Sequence, residues 1–525
     1  MDTAENSFGR LRAFVWPIHR HELSRFVPML LIFFLICFNY NILRAAKDSL
    51  VVTAPFSGAE AIPFIKVWAI LPSALFMTFL YTRFSNSLKR EHVFYAMMAV
   101  FLIFFILFAF FLYPFRDTLH PHQFADTLEK SLPLGFHGMI AMIRNWTCTA
   151  YYIMSEMWST IIMTVLFWGF ANEVTSIKAA KRFYAVLGIG ANVAGIFSGW
   201  AATVLSRLSY RSFLPFGSDA WEQSVAVMSA IVIVNCVLCM LLFRYLHVKG
   251  YRNHAGPTGD STLSVPEKTF RMGLRESFMY LAKSRYLVCI AIIVVMYNLA
   301  LNLVEVVWKD QVKQLYPNPS DFNAYMGQVL TGIGVIATLI AMFASANILR
   351  KFPWTFGALI TPIIVTITGI LFFSFTLFKD SGLGMIAGLV GVTPLMISAF
   401  FGAMQNCLAR ASKYTLFDAT KEIAFIPLSR ESKLKGKAAI DGVGSRLGKS
   451  GGSLIHQGLL MLLGTVSMST PYVALILLGV IAAWVIAVRS LGTEFQDLSS
   501  KQEKADLPPS ISIEPDLQPT STPIN

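Results

Sequence analysis

The chain has 525 residues, of which 55% are hydrophobic and only 14% charged, with a net charge of +13 and a mean hydropathy of +0.58. Such a composition excludes an ordinary soluble domain and indicates an all-α polytopic membrane protein. The six cysteines all fall in apolar stretches without paired loop spacing, which argues against a disulfide framework or a zinc site; the positive balance reads as a topology signal, with no nucleic acid expected as partner.

Residues 1–26 form a polar N-terminal segment, and the first apolar run near Pro28 is followed by charge rather than a small-residue cleavage site, so no secretory leader is expected. Twelve windows are long enough to cross the hydrocarbon layer: 27–51, 62–84, 92–114, 138–172, 182–206, 223–246, 286–311, 324–349, 354–378, 384–412, 438–464 and 470–490. They predict twelve transmembrane helices in two six-helix halves, 27–247 and 286–490. A Gly-, Pro- and Ser-containing stretch, residues 248–285, links them. Residues 491–525, rich in Pro and Ser, are expected to be a disordered tail. Most of the 43 Lys and Arg residues lie in the termini and in the connections after even-numbered windows. That bias places both termini in the cytoplasm.

The two halves echo one another. "NYNILRAAKDSLVV" in the first window resembles "MYNLALNLVEVVWKDQV" in the seventh, and the fifth and eleventh carry similar glycine ladders. Two related bundles around a midplane cavity are a common transporter plan.

Ionisable residues inside the windows are the informative ones, because each costs about 2.5–3.5 kcal/mol at a helix centre. Tyr40, Arg44 and Lys47 share one face of the first window. Arg144 and Glu156 lie in the fourth, with Tyr151 and Tyr152 beside Glu156. Asn298, Asn302, Glu305 and Lys309 make a polar stripe on the seventh, and Arg446, Lys449, Ser453 and His456 another on the eleventh. Structural ion pairs are one reading of any single member, as Arg44 with Asp48 four residues on. For the whole set, cations outnumber the carboxylates Glu156 and Glu305, and surplus positive charge in a low-dielectric cavity calls for an anionic, polyphosphate cargo.

"DGVGSRLGKSGG" (441–452) nearly matches a phosphate-cradling loop, but Val443 stands where the first glycine is required and no strand precedes it. Its glycines are expected to serve close helix packing while Arg446 and Lys449 project from one side. "GIGANVAG" lacks the spacing of a dinucleotide loop. No metal motif or Ser-His-Asp arrangement stands out, so neither a cofactor nor an enzymatic activity is expected.

At "FNYNILRAAKDSLVVTA", "LFWGFANEVTSIKAAKRFYAVLGIGANVAGIFSG", "NLVEVVWKDQVKQLYPNPSDFNAYMG" and "SKYTLFDATKEIAFIPLSRESKLKGKAAIDGVGSRLGKSGGSLIHQ" the chain closely resembles the ATP/ADP translocase family of obligate intracellular bacteria and plastids. The resemblance implies a major-facilitator-like fold in a bacterial inner membrane and exchange of host ATP for ADP, with phosphate as a further expected cargo. A proton-coupled or broader-specificity nucleotide importer is the alternative mode. It further implies four functional membrane charges: Lys47, Glu156, Glu305 and a lysine that is either Lys437 or Lys449, the latter lying deeper in its window. The expected site thus has Lys47, Arg44, Arg144, Arg446, Lys449 and Lys437 on phosphates, and Glu156, Glu305 and Lys309 as transport charges. Tyr40, Tyr151, Tyr152 and Tyr184 line the cavity as candidate adenine contacts, with Asn298 and Asn302 beside them. A monomer in the lipid bilayer is expected.

Overall fold

The computed structural model describes residues 18–175, 177–250, 284–345, 351–378, 391–440 and 444–506, with a few isolated residues between them. Residues 1–17, most of the expected linker, residues 441–443 and residues 507–525 lie outside the described set.

Among the described residues twelve helices are long, with shorter ones such as His122–Ser131 and Arg430–Ala439 between them: α1 (Leu23–Val52), α2 (Ala61–Ser87), α3 (Glu91–Leu112), α4 (Trp146–Asn172), α5 (Ile177–Ser206), α6 (Ala220–Tyr245), α7 (Arg285–Leu315), α8 (Pro319–Ile340), α9 (Trp354–Leu377), α10 (Pro394–Ser412), α11 (Ser445–Leu463) and α12 (Val466–Asp506). Ten of them are long and apolar enough to cross a membrane, α10 and α11 being the exceptions. Gln405, Asn406 and Arg410 interrupt the apolar run of α10, and Arg446, Lys449, His456 and Gln457 that of α11. Both are 19 residues long and pack against α7.

The fourth expected window divides in two. A short helix, His137–Arg144, ends at Asn145, whose side chain donates to the Pro55 and Ala141 carbonyls at 3.0 and 3.3 Å, and α4 begins at Trp146. α12 runs past the expected boundary at residue 490, to Asp506. Leu491 is buried, the Phe495 ring stacks on Trp354 at 5.4 Å, and Arg285 reaches Glu494 at 3.2 Å. The apolar stripe of the core thus continues past the bilayer-length segment.

Helix packing repeats between the two sets of six. α1 packs on α4, α5 and α6, as α7 packs on α10, α11 and α12; α3 meets α6 as α9 meets α12. Between the sets, the most extensive contact joins α5 to α8. Glycines allow it: a Cβ on Gly327 would sit 2.6 Å from Thr203 Oγ1 and 2.7 Å from the Gly199 carbonyl. In α11, a Cβ on Gly448 would lie 2.6 Å from the Val295 carbonyl and one on Gly452 would lie 2.7 Å from Asn302 Cβ. Those two glycines therefore seat α11 on the polar stripe of α7.

The bonds between the two sets gather in the middle and at the end distal to the start of α1. Ser49 donates to Asn323 at 3.0 Å and Asn323 donates to Ser206 at 2.6 Å. Gln457 donates to the Pro63 carbonyl at 2.8 Å, and Trp68 to Gln457 at 3.3 Å. At the distal rim Lys313 of α7 donates to the Ser57 carbonyl in the loop after α1. Nearer the opposite end, Tyr414, Arg446 and Lys449 are exposed.

Candidate functional site

Where α1, α2, α4, α7 and α10 converge, the structure assembles a cluster of ionisable side chains. Lys47 is ion-paired with Glu156 and sits over the Tyr152 ring at 3.9 Å from its centroid. Both partners belong to the first six helices. On the other side, Glu305 receives three cations: Lys309 at 2.9 Å, Arg410 at 3.4 Å and Lys66 at 3.7 Å. Lys309 also reaches Asp48 of α1 at 2.9 Å, and that pair is almost wholly buried, each side chain 1% exposed. Lys66 donates to Asn302 Oδ1 at 2.6 Å. The asparagines are themselves held to their own helix, Asn302 donating to the Asn298 carbonyl and Asn298 to that of Val294.

Local backbone explains part of this placement. Lys66 lies in a wide, π-type turn, Ile65–Ile70, and Lys413 and Tyr414 in another, Lys413–Phe417, that continues α10. Glu156 comes just before a third, Trp158–Phe167. Such turns shift the facing of side chains and recur at functional sites. Arg410 and Tyr414, four residues apart, consequently face the same way, toward α1 and α7.

The charge balance is the informative quantity. Arg44, Lys47, Lys66, Lys309, Arg410 and Lys449 stand against Asp48, Glu156 and Glu305, six cations to three carboxylates. Among the described residues, Arg44 and Lys449 have no carboxylate ion-pair partner, although Asp48 and Glu305 lie within electrostatic reach of Arg44, and Glu156 of Lys449. Arg44 is half-buried and Lys449 exposed, so neither is sealed inside the packed helices and both border open space. A dry cluster with three uncompensated charges would be severely unstable. With solvent or an anion in that space the arrangement becomes tolerable.

The expected residues divide accordingly. Tyr40, Arg44, Lys47, Tyr152, Glu156, Asn298, Asn302, Glu305, Lys309 and Lys449 are brought together. Arg144 is not: its guanidinium pairs at 2.7 Å with both Asp126 and Glu129 and lies over the Phe56 ring, at the distal rim. Tyr151 faces away from Tyr152 into an aromatic packing layer with Phe105 and Phe108. Tyr184 hydrogen-bonds Asn172 at 2.6 Å, at the far end of α4. Lys437 pairs with Glu422 at 2.6 Å on an exposed surface, and Arg446 is exposed one turn before Lys449. Lys66, Arg410 and Asp48 are cluster members that the sequence reading did not single out as site residues, and Tyr414 lies within electrostatic reach of Arg44 and Tyr297 beside them. A separate cavity of about 660 Å³, lined by Tyr81, Glu91, Phe94, Phe170, Phe243 and His247 among others, opens between α2, α3, α4 and α6 and contains none of these charges.

At the distal rim lies a second ionic group. His137 Nδ1 lies 3.1 Å from Glu60 and its Nε2 3.4 Å from Glu129. The Glu60 hydrogen bond raises His137 above its ordinary value of 6.5, against the opposing effect of partial burial. Burial alone would raise the Glu60 carboxyl, but His137 and the nearby Lys313 hold it below the usual carboxylate range.

Comparison with known proteins puts this geometry in context. Residues 1–495 match the family model described as TLC ATP/ADP transporter. The chain is 46% identical over 504 residues to "ADP,ATP carrier protein 1" of Chlamydia muridarum, covering 96% of this chain and 94% of that one. It is 42% identical over 482 residues to "ADP,ATP carrier protein 1, chloroplastic" of Arabidopsis thaliana, covering 92% of this chain and 75% of the relative. Among solved structures, a bacterial homologue of the iron transporter ferroportin in an inward-facing state superposes with a TM-score of 0.51 at 14% identity, over 92% of this chain and 99% of that one. The chain therefore shares the fold of that transporter homologue.

Proposed function

The chain belongs to the TLC ATP/ADP transporter family, and from that premise we propose that it is a multi-pass membrane antiporter importing ATP in exchange for ADP by alternating access. The observation that carries the reading is the surplus of three cations at the meeting point of the two helix sets. Arg44, Arg410 and Lys449 take the phosphate oxygens; guanidinium forks bind them in pairs and the ammonium acts as a point charge. Lys66 and Lys309 keep Glu305 in place beside them.

Alternating access follows from where the two sets are joined. Twelve spans in two bundles, α1–α6 and α7–α12, rock about the α5–α8 contact, with both termini cytoplasmic and the distal rim outside the cell. In that orientation the described state is closed to the outside through Lys313, Gln457 and the loop after α1. It faces the cytoplasm through the space beside Lys449. Antiport arises because an empty site leaves three positive charges that must be re-solvated during reorientation, whereas a bound nucleotide neutralises them. Phosphate fits the same cations as a companion of ADP. Hydrolysis is not part of the proposal, since an ATPase would need a positioned water and metal to stabilise the transferring phosphoryl group.

The test is uptake of labelled ATP into liposomes carrying the full chain. ADP inside should accelerate uptake at least tenfold over empty vesicles, with no ATP turned over. Equal uptake with and without internal ADP, or acceleration by a proton gradient alone, would instead favour the proton-coupled importer.

A further inference from the structure

Resting on the nucleotide-exchange reading, we propose that Tyr414 of the π-type turn after α10 is a specificity-determining residue, which together with Tyr40 of α1 forms a two-sided clamp for the nucleotide base. Three observations lead there. First, Tyr414 is 49% exposed although its neighbours Thr415, Leu416 and Phe417 are buried. A lipid-facing ring would not have charged groups of other helices around it, yet Tyr414 lies within electrostatic reach of Arg44, Tyr297 and Lys449, from α1, α7 and α11. Its exposure is therefore to the central space. Second, it stands one turn beyond Arg410, on the side away from the distal rim. Tyr40 stands one turn before Arg44 on α1, which runs the opposite way along the bundle axis. Each helix thus offers a guanidinium with a phenol ring one turn nearer the open end, and the two phenols are within electrostatic reach of each other. Third, buried phenol hydroxyls around this position lack partners: those of Tyr152 and Tyr297 make no hydrogen bond among the described residues.

The chemistry matches a nucleotide lying along the axis. Phosphates engage Arg44, Arg410 and Lys449, and the planar base lies one turn away between the two rings, where stacking tolerates either purine face. Because Tyr40 belongs to the first helix set and Tyr414 to the second, the base bridges the two halves. Its occupancy is then read by the same rocking motion that the phosphates permit. Inorganic polyphosphate would satisfy the cations and leave the clamp unused.

The test is ATP transport by the full chain in ADP-loaded liposomes, with inorganic tripolyphosphate as competitor. Tyr414→Ala should raise the KM for ATP about tenfold, the weight of one stacking contact, while the tripolyphosphate inhibition constant stays within twofold. Tyr414→Phe should behave as the parent. An unchanged KM in Tyr414→Ala, an equal rise in both constants, or a loss of ATP affinity in Tyr414→Phe as large as in Tyr414→Ala would overturn the clamp. So would a failure of tripolyphosphate to compete with ATP on the parent protein. Dependence on internal ADP is read in the same vesicles, so failure of exchange in the parent protein is separable from failure of the clamp.

Discussion

The two carboxylates at the centre of the molecule differ in company. Glu156 has a private partner, Lys47, and both sit in the first six helices. Glu305 is shared among Lys309, Arg410 and Lys66, and through Lys309 it is tied to Asp48, so this network crosses between the two helix sets. A private pair can travel as a unit when the halves move. In the proposed rocking motion a shared one would have to be partly dismantled, and the cations it releases would become available to cargo. Under the proposed exchange the two acids would then play different parts despite similar surroundings, Glu156 organising a binding wall and Glu305 timing the exchange.

The contrast can be broken most severely at the shared acid. Glu305→Gln leaves three cations around a neutral amide, and exchange should fall by at least about a hundredfold; removing one partner of a buried pair ordinarily costs about 3–5 kcal/mol. Initial rates in liposomes, corrected for inserted protein, read this out, and near-parental rates would remove Glu305 from the mechanism. A charge swap sharpens the comparison. Lys47→Glu with Glu156→Lys should retain more than about a tenth of the parental rate, whereas Glu305→Lys with Lys309→Glu should not recover, since neither Arg410 nor Asp48 would then meet an opposite charge. Equal recovery of both swaps would mean the two acids are alike.

Smaller effects are expected away from the charges. Gly327→Val inserts a side chain where α5 and α8 touch, and should lower thermal stability by about 1–3 kcal/mol, the ordinary cost of overpacking, together with the transport rate. A melting curve matching the parent would show that this contact is not the tight one. The smallest effect belongs to the distal rim. Because His137 titrates above 6.5 in the folded protein, its contribution to the closed rim is fully present below that value and is lost as pH rises through the raised one. Hydrogen exchange in residues 53–60 should therefore speed up modestly with pH beyond the intrinsic rate change, by less than about 1 kcal/mol of protection. His137→Gln should abolish that excess; persistence of it in the variant would assign the effect elsewhere.

Much of the architecture was legible because the bilayer imposes it. Long apolar runs reveal ten helices directly, and the echo between "NYNILRAAKDS" and "MYNLALNLVEVVWKD" corresponds to the like packing of α1 and α7 on their neighbours. Glu305, Lys309, Lys47 and Glu156 were visible as charges within such runs. Lys66 and Arg410 lie within windows too, but nothing local marks them as turned inward; a wide turn and neighbouring helices direct them to Glu305. Arg144 misled for the converse reason. It falls within the expected window 138–172, but the break at Asn145 ends the helix there, and Asp126 and Glu129, in a segment read only as a connection, satisfy its guanidinium. The tail shows the same limit, since nothing local in "SLGTEFQDL" announces that Trp354 and Arg285 wait for Phe495 and Glu494.

The central claim is that the unpaired cations of the inner cluster exist to receive polyphosphate. Calorimetric titration of ATP into the purified full chain and into Arg44→Gln with Lys449→Gln tests it most directly. The account predicts that the double variant, still folded by its melting curve, loses at least about a hundredfold in ATP affinity. ATP binding of parental strength in that variant would contradict it.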